Sequence, residues 1–171
     1  HLDPTLKYNR EKKSEIKLSL FFKEESEYYK NRLQKNSIDF TIFLEDDFSI
    51  SINRGKIVQI IDNLISNSEY WLIKLKGNDP NCKPSITIKI ESPWIYFYDN
   101  GYGISPAIEN MLFEPFVTTK PKGEGRGLGL FIIQQLLDSS KCTIALEPFR
   151  NEHGRKYIFA INFSNIINEY K

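Results

Sequence analysis

Four glycines fall within seven residues at Gly123-Glu124-Gly125-Arg126-Gly127-Leu128-Gly129, and the apolar run Leu128-Gly129-Leu130-Phe131-Ile132-Ile133 overlaps and extends it. Glycine permits backbone angles and close approaches that other residues forbid. A helix that begins directly after such a loop offers free N–H groups and a positive dipole end to an anion. The stretch therefore reads as a phosphate-binding loop, and the rest of the chain is constrained to complete a site around it. Spacing excludes two better-known phosphate loops. There is no G-x-x-x-x-G-K-[ST], and no G-x-G-x-x-G closing a strand-to-helix turn with an acidic residue about twenty positions later.

A chain of 171 residues is expected to form one domain around a single core. A net charge of +1 supplies no field to recruit nucleic acid or an anionic membrane. Cys82 and Cys142 lack metal-type spacing, and with no run of about eighteen apolar residues and no leader pattern the expected location is cytoplasmic, without membrane contact by this chain. The only methionine is the internal Met111, so the chain is expected to be a piece of a longer protein, and His1 carries no assigned role.

Residues 1–15 are polar and basic and read as a linker from something upstream, and residues 166–171 as a tail. A short edge strand is expected at 16–18, then a helix over 19–35 capped by Ser19, with Leu20, Phe21, Tyr28 and Leu33 inward and Tyr29 outward. Residues 38–44 and 48–52 alternate as strands and suggest a hairpin turning at Glu45-Asp46-Asp47. Asn53 is placed to cap a long helix over 54–76, ended by Gly77 and Asp79-Pro80, with Ile57, Ile61, Leu64, Ser68, Leu72 and Leu75 as its buried stripe. Strong strands follow at 85–91 and 94–98, then a tight loop at 99–103. Residues 104–124 hold Pro106, Pro115 and Pro121 and no steady period, which suggests a mobile flap with one helical turn. A helix over 127–139 and strands at 142–147 and 156–163 close the chain. The pattern predicts an α/β (α+β) two-layer sandwich: one mixed, mostly antiparallel sheet with three helices on one face.

Three features carry chemistry. Asn63 and Asn67 stand four apart in the long helix, where asparagine is a poor interior residue. Either they are two amides on a solvated or capped face, or the Asn67 amide oxygen coordinates a hard cation such as Mg²⁺ beside phosphates. Asp99 ends an apolar strand before Asn100-Gly101-Tyr102-Gly103. This is either a turn alone, or a half-buried carboxylate seeking a donor such as an exocyclic amine, with glycines that let a flat ring lie against the backbone. The glycine loop is the third.

Taken together, Asn63-Leu64-Ile65-Ser66-Asn67, Asp99-Asn100-Gly101-Tyr102-Gly103-Ile104 and Gly123-Glu124-Gly125-Arg126-Gly127-Leu128-Gly129-Leu130 resemble the N, G1 and G2 boxes of the GHKL superfamily of ATP-binding domains. Leu112-Phe113-Glu114-Pro115-Phe116-Val117-Thr118-Thr119-Lys120 resembles the F box of its histidine-kinase branch (HATPase_c). The resemblance covers roughly 16–165 and implies the Bergerat fold, with ATP and Mg²⁺ as cofactors. It implies that Asp99 holds the adenine amine, that Gly101, Gly103 and Ile104 shape the base pocket, and that Asn67 binds the metal. Gly125, Gly127, Leu128 and Gly129 would offer N–H groups to phosphates. Asn63, Lys120 and Arg126 would act on the reacting phosphate, and Tyr70, Trp71 and Thr119 would contact nucleotide. Lys122 reads as a surface lysine, and Phe113 and Phe116 as flap anchors.

Water-splitting members of the superfamily carry a glutamate at the first N-box position. Here it is Asn63, whose amide cannot serve as a general base, and Asp62 lies about 100° around the helix. The resemblance therefore implies the catalytic domain of a sensor histidine kinase-like protein. Two features depart from it. Kinases commonly carry a basic residue three places after the metal-binding asparagine and then an aromatic, where this chain has Tyr70 and Trp71. Neither His1 nor His153 has a phosphoacceptor context, and His153 reads as solvated. The acceptor is then expected on an upstream dimerisation region or a partner protein. The alternative is a GHKL-type conformational switch, an ATP-binding ATPase without histidine phosphotransfer.

Overall fold

The computed structural model describes residues 12–167. Most of the expected linker, 1–11, and of the tail, 168–171, lies outside the described residues. The linker's described end enters strand β1 (Ser14–Lys17) directly, so regular structure begins before residue 16.

The main layer is a five-stranded sheet ordered β2 (Asp39–Asp46), β4 (Ser85–Glu91), β5 (Trp94–Asp99), β7 (Ile158–Asn162) and β6 (Thr143–Leu146). β2 runs parallel to β4, and the other pairings are antiparallel. Strict alternation drives this layer. Ile86, Ile88 and Ile90 of β4, and Ile95 and Phe97 of β5, point into the core while their neighbours face outward. Helices α1 (Leu18–Gln34), α2 (Arg54–Asn78) and α3 (Gly129–Asp138) cover the inner face, with α2 and α3 packed together.

β3 (Ser49–Ile52) departs from the expected hairpin. It pairs with β1 in a separate two-stranded antiparallel sheet, while β2 takes β4 as its partner. Asp47 explains the change. Its Oδ1 accepts from the Ser19 and Phe48 amides at 3.0 and 2.9 Å, and its Oδ2 accepts from Ser19 Oγ. The corner at 45–48 therefore satisfies the open first turn of α1 instead of closing a hairpin. Ser19 is correspondingly not the N-cap; that position is Lys17, with no side-chain bond.

The buried face of α1 is Leu18, Phe21, Phe22, Tyr29 and Leu33. Leu20 and Tyr28, expected inside, are exposed, because the Tyr29 ring packs on Phe40 of β2 at 5.9 Å. α2 obeys its sequence closely. Asn53 Oδ1 accepts from the Lys56 amide, and Ile57, Ile61, Leu64, Ser68 and Leu72 are buried, although Gly77 lies within the helix, which continues to Asn78. α3 begins two residues later than expected, since Gly127 has φ of +69°.

Candidate functional site

A cleft of about 370 Å³ opens between α2, the end of β5 and the glycine loop. Asn63, Asn67 and Trp71 line it from α2, each four residues after the last and so on one helical face. Asp99, Gly101, Gly103 and Ile104 line the second wall. Thr119, Lys120, Gly125, Arg126, Gly127, Leu128 and Gly129 form the third. Of the expected contacts, Tyr70 alone is absent from the lining.

Asp99 is buried deeply enough to raise its carboxyl above the usual carboxylate range. Loss of water dominates, and hydrogen bonds from Ser68 and Gly101 pull the other way. Ser68 Oγ donates to Oδ2 and the Gly101 amide donates to Oδ1 over 2.8 Å. Closing the β4–β5 end falls largely to Asn100, whose amide side chain bonds the Ser85 N–H and the Lys83 carbonyl. That leaves the Asp99 carboxylate on the cleft wall. Gly103, at φ +91°, fits against the hairpin that precedes β7: a Cβ there would lie 2.8 Å from Arg155 Cβ.

Asn63 presents a second unusual group, for its side-chain Nδ2 is buried with no hydrogen-bond partner among the described residues. A buried unpaired donor is expensive, and Asn63 is one of the residues that line the cleft. At the loop, the Cβ of any residue 127 would fall 2.5 Å from the Phe116 carbonyl carbon and the Val117 oxygen. Only glycine accommodates that seam. Among the described residues no group of three or more His, Cys, Asp or Glu gathers to hold a metal, so a cation here needs oxygens from its ligand.

The flap is more built than its sequence suggested. Its first part is a 3₁₀ turn over Pro106–Met111, pinned by Glu109, which accepts from Arg150 at 3.0 Å and ion-pairs Lys156 at 3.4 Å. The Arg150 hydrogen bond holds the Glu109 carboxyl below its ordinary range. Phe113 packs edge-on against Phe159 at 6.2 Å, but Phe116 is 74% exposed, so its side chain is no flap anchor. Lys122 lies outside the lining, and His153 sits in its turn with its ring edge-on to Tyr102 at 5.2 Å.

Tyr70 faces the flap from outside the cleft. Its hydroxyl donates to Glu124 Oε1 over 2.8 Å, and its ring lies edge-on to Trp71 and beneath the Lys120 ammonium, 4.4 Å from centroid to Nζ. Among the lining residues that escaped the sequence are Ser68, Arg155 and Tyr157. Ser68 left a trace as the one polar member of an apolar stripe. The other two arrive with the β6–β7 connection and leave none.

The family model described as histidine kinase-, DNA gyrase B-, and HSP90-like ATPase matches residues 52–165. The sensor protein kinase PilS of Pseudomonas aeruginosa is 28% identical over 139 residues, covering 80% of this chain and 25% of that protein. The sensor protein ChvG of Rhizobium meliloti is 29% identical over 130 residues, covering 69% and 21%. The chain therefore spans about a quarter or less of the length of these curated relatives. The catalytic domain of histidine kinase ThkA superposes with a TM-score of 0.67 at 25% identity, covering 90% of this chain and 97% of that one. Full-length ShkA in complex with AMPPNP superposes with a TM-score of 0.72 at 17% identity, covering 98% and 35%, a likeness of fold alone. No helix among the described residues is long and apolar enough to cross a membrane.

Proposed function

The chain belongs to the histidine kinase-, DNA gyrase B-, and HSP90-like ATPase family, and from that premise we propose that its cleft binds ATP with Mg²⁺ and presents the terminal phosphoryl group to a histidine carried by another segment or a partner protein. The observation that carries this reading is the character of the cleft's carboxylates. Among the described residues Asp99 is the sole acidic one in its lining, and Ser68 and Gly101 already engage it at the β5 end. The position that would activate water holds Asn63 instead, and an amide is no general base. The arrangement suits transfer to a nucleophile supplied from outside.

The residues present fit the nucleotide. Asp99 offers an acceptor to the adenine amine, and Gly101, Gly103, Ile104 and Trp71 line the part of the cleft where a flat base would lie. The orphaned Asn63 donor would gain an acceptor were a phosphate oxygen to reach it. The Asn67 amide oxygen would hold Mg²⁺, which supplies charge neutralisation between phosphates. Backbone N–H groups of Gly125, Gly127, Leu128 and Gly129 at the start of α3 suit anionic oxygens. Lys120 and Arg126 bring cations to the same end, and Thr119 borders it. Soluble residence in a cytoplasm belongs to this reading too.

The test supplies a histidine-bearing two-helix dimerisation segment in trans with γ-labelled ATP and Mg²⁺. Acid-labile, base-stable phosphate on that histidine is the expected result. Label appearing solely as inorganic phosphate, or retained on ATP while the chain changes shape, would support the conformational-switch reading, which the Tyr70 substitution favours.

A further inference from the structure

Kinases of this branch carry a cation three places after the second N-box asparagine, and this chain has Tyr70 there. The surroundings of Tyr70 suggest how the charge is restored. The Lys120 ammonium lies 4.4 Å from the centre of its ring. The stem of Lys120 runs across Gly125, where a Cβ would come within 2.6 Å of Cδ. The Tyr70 hydroxyl donates to Glu124 Oε1 over 2.8 Å, and Lys74, one turn further along α2, ion-pairs the same oxygen at 3.4 Å. Glu124 is thereby occupied. Among the described residues no carboxylate lies within ion-pair distance of Lys120, which is one of the cleft-lining residues and whose pKa burial lowers.

We propose that Tyr70 is a positioning residue, whose ring face and bond to Glu124 hold the flap against α2 and aim the Lys120 ammonium at the terminal phosphate, so that a cation borne on the flap replaces one borne on the helix. This rests on the reading of Lys120 as a phosphate contact. The ring's negative face suits an ammonium that has lost part of its water. The hydroxyl bond keeps Glu124 from capturing that ammonium. Tyr70 therefore acts through Lys120 and touches no ligand itself.

Calorimetric titration of the 171-residue chain with Mg-ATP and Mg-ADP tests this. Tyr70→Leu is expected to weaken ATP about fivefold and ADP less than about twofold, a loss typical of one partly desolvated cation–π contact. Tyr70→Phe, which keeps the ring but loses the bond to Glu124, is expected to give an ATP:ADP ratio between wild type and Tyr70→Leu. Lys120→Gln should collapse the ratio by itself, and Tyr70→Leu added to it should change nothing further. Equal losses of ATP and ADP in Tyr70→Leu, or a loss that persists in the Lys120→Gln background, would overturn the positioning role while leaving the Lys120 reading intact. An unchanged ratio in Lys120→Gln would sink the Lys120 reading and this inference with it.

Discussion

The amide of Phe116 donates to the carbonyl of Gly127 over 3.0 Å, and both residues hold left-handed backbone angles, φ +67° and +69°. This bond stitches the middle of the flap to the loop that opens α3. It brings backbone so close to residue 127 that no Cβ fits. Gly127→Ala is expected to part the seam and weaken Mg-ADP binding at least about tenfold. Strain of this kind costs about 1–3 kcal/mol, and a chain of this size loses about 2–4 °C per kcal/mol. Thermal melting should therefore fall by less than about 12 °C, with the fold retained. Unchanged ADP affinity in a folded Gly127→Ala protein would show that the seam does not shape the site.

Asp99 gives the pH dependence its sign. Burial raises its carboxyl above the unfolded value, outweighing the bonds from Ser68 and Gly101. Its stabilising contribution is thus complete below the unfolded pKa and is lost as pH rises through the folded one. An adenine amine, in contrast, needs the ionised acceptor. Adenosine affinity should therefore fall as pH is lowered toward the raised pKa, where binding releases a proton from Asp99. Asp99→Asn should remove that slope and weaken adenosine by about tenfold or more, the worth of a charged hydrogen bond. Calorimetry in buffers of differing ionisation enthalpy reads both effects.

What the sequence revealed was whatever neighbours along the chain decide. The alternation of β4 and β5, the stripe of α2 and the Asn53 cap are local consequences of side-chain order, and all three stand in the structure. The hairpin expectation failed because Asp47 bonds Ser19, and local pattern carries no record of that long-range bond. The face of α1 was misjudged between two adjacent tyrosines, a choice made by Phe40 on another element. At the cleft the same division holds. Asn63, Asn67 and Trp71 line up by helical period, whereas Tyr70 sits about 60° around the helix from Asn67, toward the flap. Arg155 and Tyr157 reach the cleft through sheet topology, which no spacing in the chain announces.

Arg32 holds the helix that carries the paired amides. Its guanidinium donates to Asp62 at 3.1 Å, to Ser66 at 2.9 Å and to Glu69 at 2.8 Å, joining α1 to α2. The hydrogen bond to Glu69 is the main reason its pKa is raised. Arg32→Met leaves Glu69 and Ser66 without their partner and is expected to cost about 1–3 kcal/mol, or roughly 2–12 °C in melting temperature. Arg32→Lys should recover little, because a single ammonium cannot fork to three acceptors. Denaturant midpoints for the two variants check this, and a Lys variant at wild-type stability would contradict it.

Asn63 is expected to trade stability for binding. Its buried Nδ2 has no partner among the described residues, and an unsatisfied donor of this kind costs about 1–3 kcal/mol. Asn63→Ala removes that donor at the loss of a few packed atoms, so the ligand-free melting temperature should stay level or rise. The same change deletes the group that a phosphate oxygen would satisfy, so Mg-ATP affinity should fall about tenfold. Stability and binding then move in opposite directions, which a residue serving the fold alone would not do. Paired thermal melts with and without Mg-ATP separate the cases: a variant that melts lower without ligand, yet gains the wild-type shift on adding it, would assign Asn63 to the fold and leave the phosphate end of the cleft without its amide.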